Sequence, residues 1–116
     1  MTPTSRFNVQ GALNRLMNNT TLYEKLLSTM LERYHDLDTQ LTDMLRKGNY
    51  EKAFFQLHTL KGLAGNAGAE YLQKECQNME QLCKNSVPFE EIQPNLEIFL
   101  NELRLALKEI EEGIEI

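Results

Sequence analysis

Apolar residues recur along most of the chain at steps of three, four or seven, which is the spacing of an amphipathic α-helix. Between Thr21 and about Arg46 this spacing predicts one long helix. Its apolar positions are Leu22, Leu26, Met30, Leu37, Leu41 and Met44. Gly48 suits the C-terminal cap of that helix, and Asn49 suits the N-cap of the next. No segment alternates apolar and polar residues convincingly enough to predict a strand.

Three further segments carry the helical spacing. We predict helices from about Tyr50 to Gly65, from Ala69 to about Lys84, and over the segment marked by Leu96 to Ile110. Their core positions are Ala53, Leu57, Leu60, Ala64, Leu72, Cys76, Met79, Cys83, Leu96, Phe99, Leu100, Leu103, Leu107 and Ile110. Pro94 either occupies a tolerated first turn of the last helix or kinks it. A short helix over about Val9–Met17 precedes the others, and its apolar side is Leu13, Leu16 and Met17.

Four main helices with short connections predict an all-α fold, an antiparallel up-down-up-down four-helix bundle with a short additional N-terminal helix. The chain of 116 residues has room for one hydrophobic core, so residues 1–116 are expected to form a single domain. The chain contains no internal repeat and no low-complexity tract, so nothing in the sequence divides it into smaller units.

Composition and charge limit the possible partners. A net charge of −5 argues against broad electrostatic binding to nucleic acid or anionic lipid. No run approaches the 18 or more apolar residues of a membrane span, and the N-terminus lacks the pattern of a signal peptide. Cys76 and Cys83 would lie about 10 Å apart on one helix, too far to bridge. We therefore expect core thiols, a cytoplasmic location, no metal site and no cofactor.

The segment 56–68, QLHTLKGLAGNAG, combines three glycines with His58, one of only two histidines. On a helical wheel His58 lies about 100–160° from the core positions of its helix, so it faces outward. Phe54 and Phe55 precede it by four and three residues, and Lys61 follows it by three. Lys61 would place a cation near any anion that the imidazole carried. The two phenylalanines would either pack at the edge of the core or contribute to a docking surface.

The glycines of this helix are costly, because each Gly in a helix interior is less favourable than Ala by roughly 0.8–1 kcal/mol. Gly62 and Gly65 follow His58 by four and seven residues, on the same side of the helix. Their lack of a side chain would let another backbone or active site approach the imidazole. Gly68 has a simpler role, since the turn after the helix favours a residue that tolerates positive φ.

A neighbouring side chain could orient the His58 ring. If the chain reverses near residue 67, antiparallel pairing brings His58 level with residues 76–78, give or take one turn. Gln77 and Glu80 are polar positions at the edge of the core stripe of that helix. Either could accept a hydrogen bond from Nδ1–H and leave the lone pair on Nε2.

The stretch HTLKGLAGNAGAEYL resembles the signature of histidine-containing phosphotransfer (HPt) domains, the intermediate carriers of multistep two-component phosphorelays. The residues that match are His58, Leu60, Lys61, Gly62, Gly65 and Gly68. The predicted helices before and after this stretch fit the bundle of that family. The resemblance therefore covers nearly the whole chain.

The resemblance implies that His58 takes a phosphoryl group on Nε2 from an aspartyl phosphate of one receiver domain and passes it to another. Lys61 would offset the phosphoryl charge, Gly62 would leave room for the receiver's active site, and Gly65 would help to clear the same surface. Several members of the family bond the histidine's Nδ1 with a Gln or Glu of the next helix. Glu80 falls at a matching spacing, and Gln77 is the second choice.

The implied partners are receiver domains, which hold the magnesium on their own side, and a hybrid sensor kinase is a further candidate. The chain has no GxxxxGK[ST] loop and no acidic cluster for nucleotide-bound magnesium, so we expect a phosphocarrier and not an enzyme. A single exposed histidine works in a monomer. The chain could stand alone in the cytoplasm or be the cytosolic end of a membrane-bound hybrid kinase.

Three other functions compete with this one. A di-metal bundle would use Glu32 and His35, but such a site needs two Glu-x-x-His motifs, and these side chains point away from the apolar stripe. A sensor-kinase dimerisation domain typically has an acidic residue after its histidine and a proline soon after, whereas Thr59 follows His58 and the next proline is Pro88. A helical adaptor that is never phosphorylated is the remaining alternative, and it leaves the glycines without a reason.

Overall fold

A computed structural model describes residues 5–116, and most of them are α-helical. The helices are α1 Val9–Arg15, α2 Thr20–Tyr34, α3 Leu37–Arg46, α4 Tyr50–Ala67, α5 Glu70–Lys84 and α6 Phe89–Glu112. No strand occurs within residues 5–116, which confirms the predicted all-α class. The single domain expected over residues 1–116 includes residues 1–4, which lie outside the described residues. None of the described helices is long and apolar enough to cross a membrane.

Buried apolar side chains from all six helices form a common core. α5 packs against α4 and α6, and α2 and α3 each pack against α4 and α6 as well. Viewed as neighbours, the helices form a ring of four positions. α2 and α3 together occupy one position, and α4, α5 and α6 each occupy one of the other three. The short α1 lies against α4 and α2. The result is a helical bundle, and its up-down-up-down order stays a prediction.

The prediction of one continuous helix over residues 21–46 is wrong, because the helix is interrupted at His35 and Asp36. The His35 ring donates from Nδ1 to the Glu32 carbonyl oxygen at 2.8 Å, and its Nε2 lies 3.1 Å from the Asp36 carboxylate. A side chain that bonds a carbonyl of its own helix competes with the backbone ladder. No Gly or Pro marks the interruption, and the spacing of apolar residues continues across it. The sequence pattern therefore gave no sign of the break.

The core stripe of α2 and α3 agrees with the prediction at Met30, Leu37 and Leu41, and elsewhere it lies one position further along the chain. Its buried residues are Tyr23, Leu27, Met30, Tyr34, Leu37, Leu41 and Leu45. Leu22 was predicted to be buried but is 45% exposed, while Leu26 and Met44 are only half-buried. Both stripes have helical spacing. Packing against α4 and α6 together selects the one that includes the two large tyrosine rings.

α6 begins earlier than predicted, at Phe89, directly after Pro88. The backbone N–H groups of Glu91 and Ile92 both donate to the Pro88 carbonyl oxygen at 3.0 Å. Ile92 is fully buried and anchors this first turn, which lies before Leu96, the first apolar position assigned to the helix from the sequence. Pro94 lies inside the helix in its second turn, where its missing N–H removes a hydrogen bond to the preceding turn.

The short helix α1 ends at Arg15, and placing Met17 on its apolar side was wrong. Met17 is 90% exposed and has a φ of +55°. The Asn18 N–H donates to the Leu13 carbonyl oxygen at 2.8 Å, which turns the chain back over the end of the helix. Leu13 is buried and Leu16 half-buried, so only these two residues of the predicted apolar side contact the core.

Candidate functional site

One face of α4 carries the candidate site. The opposite face is buried through Ala53, Leu57, Leu60, Ala64 and Ala67, all at helical spacing. This burial fixes the rotation of α4 about its axis, and the His58 side chain is consequently 62% exposed. α4 continues two residues beyond its predicted end and is capped by Gly68 in the left-handed conformation, with a φ of +82°. The site thus lies on a rigid helix and not on a loop.

The His58 ring is held by α5. Its Nδ1 lies 3.2 Å from Oε1 of Glu80, whose side chain is only 4% exposed. A carboxylate accepts hydrogen bonds and cannot donate them, so the proton of the neutral ring is on Nδ1. The lone pair of the ring is then on Nε2. This arrangement prepares the exposed ring for nucleophilic attack through Nε2.

Glu80 also contacts Lys61, so one buried carboxylate joins the two side chains. The Lys61 Nζ donates to Oε2 of Glu80 at 2.8 Å and to Oε1 of Gln77 at 3.0 Å. Burial of an unpaired carboxylate is expensive, and here each carboxylate oxygen has a donor. The sequence left Glu80 and Gln77 as alternative partners of His58. In the structure Glu80 contacts the imidazole, and Gln77 contacts the lysine.

The two phenylalanines before His58 have different surroundings. The Phe54 ring stacks on the imidazole, with 5.7 Å between ring centroids and 10° between the planes, and it is half-buried. Phe55 is 66% exposed and borders a shallow surface hollow together with Met44 of α3. Phe54 therefore supports the ring from one side, while Phe55 is the more accessible apolar side chain beside the histidine.

The three glycines of segment 56–68 also differ. A Cβ at Gly62 would meet no atom within 4 Å, so the surface beyond the imidazole is open there. A Cβ at Gly65 would lie 2.7 Å from Nε2 of Gln73, and the Gly65 carbonyl oxygen accepts from the Arg15 guanidinium at 2.7 Å. Gly65 thus lies beside two side chains of neighbouring helices, Arg15 of α1 and Gln73 of α5. The steric reason for a missing side chain is strongest at Gly68.

Gly68 combines positive φ with a close approach of the segment before α1. The Asn8 N–H donates to the Gly68 carbonyl oxygen at 2.8 Å, and a Cβ on Gly68 would collide with the Asn8 backbone. The hydroxyl of buried Tyr23 bonds the neighbouring Ala67 carbonyl oxygen at 2.7 Å. These contacts hold the turn between α4 and α5, and with it the register that places Glu80 next to His58.

The two cysteines of α5 are buried and free. Burial, with a smaller contribution from Glu80, raises the pKa of Cys83 to about 11 and raises that of Cys76 further. Both thiols are therefore protonated near neutral pH and are poor nucleophiles. Among residues 5–116 no three His, Cys, Asp or Glu side chains are grouped so that they could hold a metal ion.

Sequence reasoning missed three contacts of the site. It did not identify the stacking of Phe54 on His58, although a spacing of four residues on one helix places such rings together. Met44 beside Phe55, and Gln73 beside Gly65, depend on how α3 and α5 pack against α4. No local sequence signal distinguishes these two residues from other partly exposed ones.

The fold and this site define a class of protein: a helical bundle that presents one oriented histidine on its surface, with a lysine and an open glycine beside it. A family model, described as the Hpt domain, matches residues 21–113. The chain therefore belongs to the Hpt domain family of two-component phosphorelays, and the resemblance seen in the sequence is confirmed. Neither a search of curated proteins nor a search of solved structures gave a match. Hpt domains act in histidine phosphotransfer and interact with receiver domains.

Proposed function

We propose that the chain is a histidine phosphocarrier in a multistep phosphorelay and that His58 carries the phosphoryl group. The observation that best supports this is the pairing of Nδ1 with buried Glu80, which leaves the lone pair on Nε2 of an imidazole that is 62% exposed. The other histidine, His35, has both ring nitrogens engaged, one by the Glu32 carbonyl and one by the Asp36 carboxylate.

In the proposed reaction, Nε2 of His58 attacks the phosphorus atom of an aspartyl phosphate on a receiver domain. The N–P bond forms as the bond between phosphorus and the aspartyl oxygen breaks, and the aspartate leaves as a carboxylate. The proton on Nδ1 stays in place against Glu80 throughout. Transfer to a second receiver reverses these steps. Such reactions depend mainly on in-line positioning and on charge stabilisation.

The surrounding residues take supporting roles in this proposal. The Lys61 ammonium, next to His58 on α4, offsets the negative charge of the phosphoryl group. Gly62 leaves space for the receiver's active site, which brings its own magnesium ion. Phe55 and the adjoining exposed surface contact the receiver, and Phe54 contributes by supporting the imidazole. Gly65 helps to clear the same surface, where a Cβ would meet the end of the Gln73 side chain.

We further propose that the chain depends on an external phosphoryl donor, acts as a monomer and works in the cytoplasm, either alone or attached to a hybrid kinase. Its donor and acceptor would then both be receiver domains. Sedimentation of the purified chain checks the monomer, and incubation with labelled ATP alone should leave the chain unlabelled. Label from ATP alone would contradict the carrier role.

Phosphoryl transfer from receiver domains tests the proposal. Wild-type chain, His58→Gln and the matched control His35→Gln are each mixed with radiolabelled phospho-receivers from the source organism. We expect label on the wild type and on His35→Gln but none on His58→Gln, and the label should be lost in acid and kept in alkali. No label on the wild type from any receiver would favour the adaptor alternative. Equal labelling of wild type and His58→Gln would show that a residue other than His58 carries the phosphoryl group.

A further inference from the structure

Lys61 is held more firmly than its position on an exposed helix face requires. Its ammonium group has two acceptors from α5, the Gln77 amide oxygen at 3.0 Å and the Glu80 carboxylate at 2.8 Å. The Lys61 side chain is only 23% exposed, whereas those of Lys47 and Lys108 are 65% and 71% exposed. Gln77 and Glu80 are three residues apart, so they lie on the same side of α5.

We infer that Gln77 is a positioning residue for Lys61, an inference that rests on the phosphocarrier function proposed above. A free lysine side chain samples many rotamers, and ordering it has an entropic cost. The Glu80 oxygen alone leaves the ammonium free to swing about a single contact. The second acceptor, Gln77, confines the ammonium to one place, against the Glu80 carboxylate that also holds His58.

The chemistry of the two acceptors explains why one is an amide. An ammonium has three N–H donors, of which Gln77 and Glu80 take two and a phosphoryl oxygen can take the third. Glu80 already balances the charge of Lys61 in the unphosphorylated chain. A second carboxylate at position 77 would surround the lysine with excess negative charge and repel the incoming phosphoryl group. A neutral amide tethers the ammonium without that repulsion.

The first test is spectroscopic and needs no phosphoryl transfer. The variants are Gln77→Met, which removes the acceptor and keeps the length, Gln77→Glu, which keeps an acceptor, and the control Gln81→Met one turn further along α5. The Nζ ¹⁵N signal of Lys61 should be protected from proton exchange in wild type, Gln81→Met and Gln77→Glu. It should lose that protection in Gln77→Met, while the ring ¹⁵N shifts of His58 stay unchanged.

An unprotected Lys61 signal in wild type would overturn the inference, and so would equal protection in Gln77→Met. A change in the His58 ring shifts without any change at Lys61 would also overturn it, because Gln77 would then act on the histidine. None of these outcomes depends on whether His58 carries a phosphoryl group. The failure of this inference is therefore distinguishable from the failure of the proposed function.

The second test measures phosphoryl transfer in a double-variant cycle. Gln77→Met should slow transfer roughly three- to tenfold, the size of one hydrogen bond to a charged group that is partly exposed. In a Lys61→Met background the same change should have no further effect, because Gln77 acts only through the lysine. Gln77→Glu should slow transfer although Lys61 stays protected. An equal effect of Gln77→Met with and without Lys61 would refute the inference.

Discussion

Replacing Gly62 with alanine and then with glutamine separates the structural cost of this glycine from its proposed use. Position 62 is exposed and a Cβ there meets no atom within 4 Å, so we expect both substitutions to leave the packing of the bundle intact. Position 62 also lies well inside α4, where helix propensity applies in full. The two variants therefore differ from wild type mainly in helix propensity and in how far a side chain extends beside His58.

The stability change follows from propensity. Gly62→Ala should raise the free energy of unfolding by about 0.8–1 kcal/mol, and Gly62→Gln by slightly less. For a domain of this size, that gain corresponds to an increase in Tm of about 4 °C. Thermal unfolding followed by circular dichroism measures it directly. A decrease in Tm would mean that the glycine has a structural role that the open space around it does not reveal.

Transfer from a phospho-receiver should change in the opposite direction. Alanine adds one methyl group and should slow transfer mildly, while glutamine extends into the space where the receiver docks. A misplacement of about 1 Å can cost ~100-fold in rate, so Gly62→Gln should approach a loss of that size. Phosphoramidate, a small donor that needs no docked receiver, should phosphorylate His58 equally in all three proteins.

Comparing the phospho-receiver with phosphoramidate shows whether a slower reaction comes from receiver docking or from the imidazole. If Gly62→Gln accepted phosphoryl groups from the receiver at the wild-type rate, the steric reason for the glycine would be refuted. If phosphoramidate also reacted slowly, the substitution would be acting on the imidazole itself. Only slow transfer from the receiver combined with normal reaction with phosphoramidate agrees with a docking surface that must stay clear.

Three further predictions concern the turn after α4, the lysine and the buried thiols. Gly68→Ala should destabilise the chain by about 2 kcal/mol or more in chemical denaturation, because Ala is strained at a φ of +82° and its Cβ collides with the Asn8 backbone; a neutral result would contradict that account. Lys61→Ala should slow transfer and lower the free energy of unfolding by about 1–2 kcal/mol, because Glu80 loses a hydrogen-bond donor. The circular dichroism spectrum should remain helical. Loss of the helical spectrum would mean that the role of Lys61 is chiefly structural. Burial raises the pKa of Cys83 from 9.0 to about 11, so its contribution to stability should be complete below about pH 9 and be lost as the pH rises toward 11. Denaturation of wild type and Cys83→Ala between pH 7 and 11 measures this, and parallel pH dependences would contradict it.

Much of the fold could be predicted from periodicity because each helix must bury one stripe. The core positions predicted for α4 and α5 are all buried. One error lies in the stripe of α2, where two sets of residues have the same helical spacing and only one set is buried. Another lies at His35, where a local side-chain contact interrupts a helix that the spacing predicts to continue. The start of α6 differs from the prediction because Pro88 is the N-cap residue and Pro94 lies inside the helix without ending it.

The sequence by itself determined the chemistry that this chain can offer. It placed one histidine outside the core stripe of a helix, with a lysine three residues later and a glycine four residues later. These relations are set within a single helix by its period of 3.6 residues, so they need no knowledge of the other helices. These three residues are among those that match the family signature, and the family match is consistent with it.

Only the tertiary structure decided that Glu80 bonds both His58 and Lys61, while Gln77 bonds Lys61 alone. Gln77 and Glu80 are three residues apart on one face, so a small change in the rotation or register of α5 would change which of them reaches His58. That register depends on the Gly68 turn, on the Asn8 contact that holds it and on the burial of α5 against α4 and α6. Contacts between helices arise from the packing of the whole core, and no short stretch of sequence encodes them.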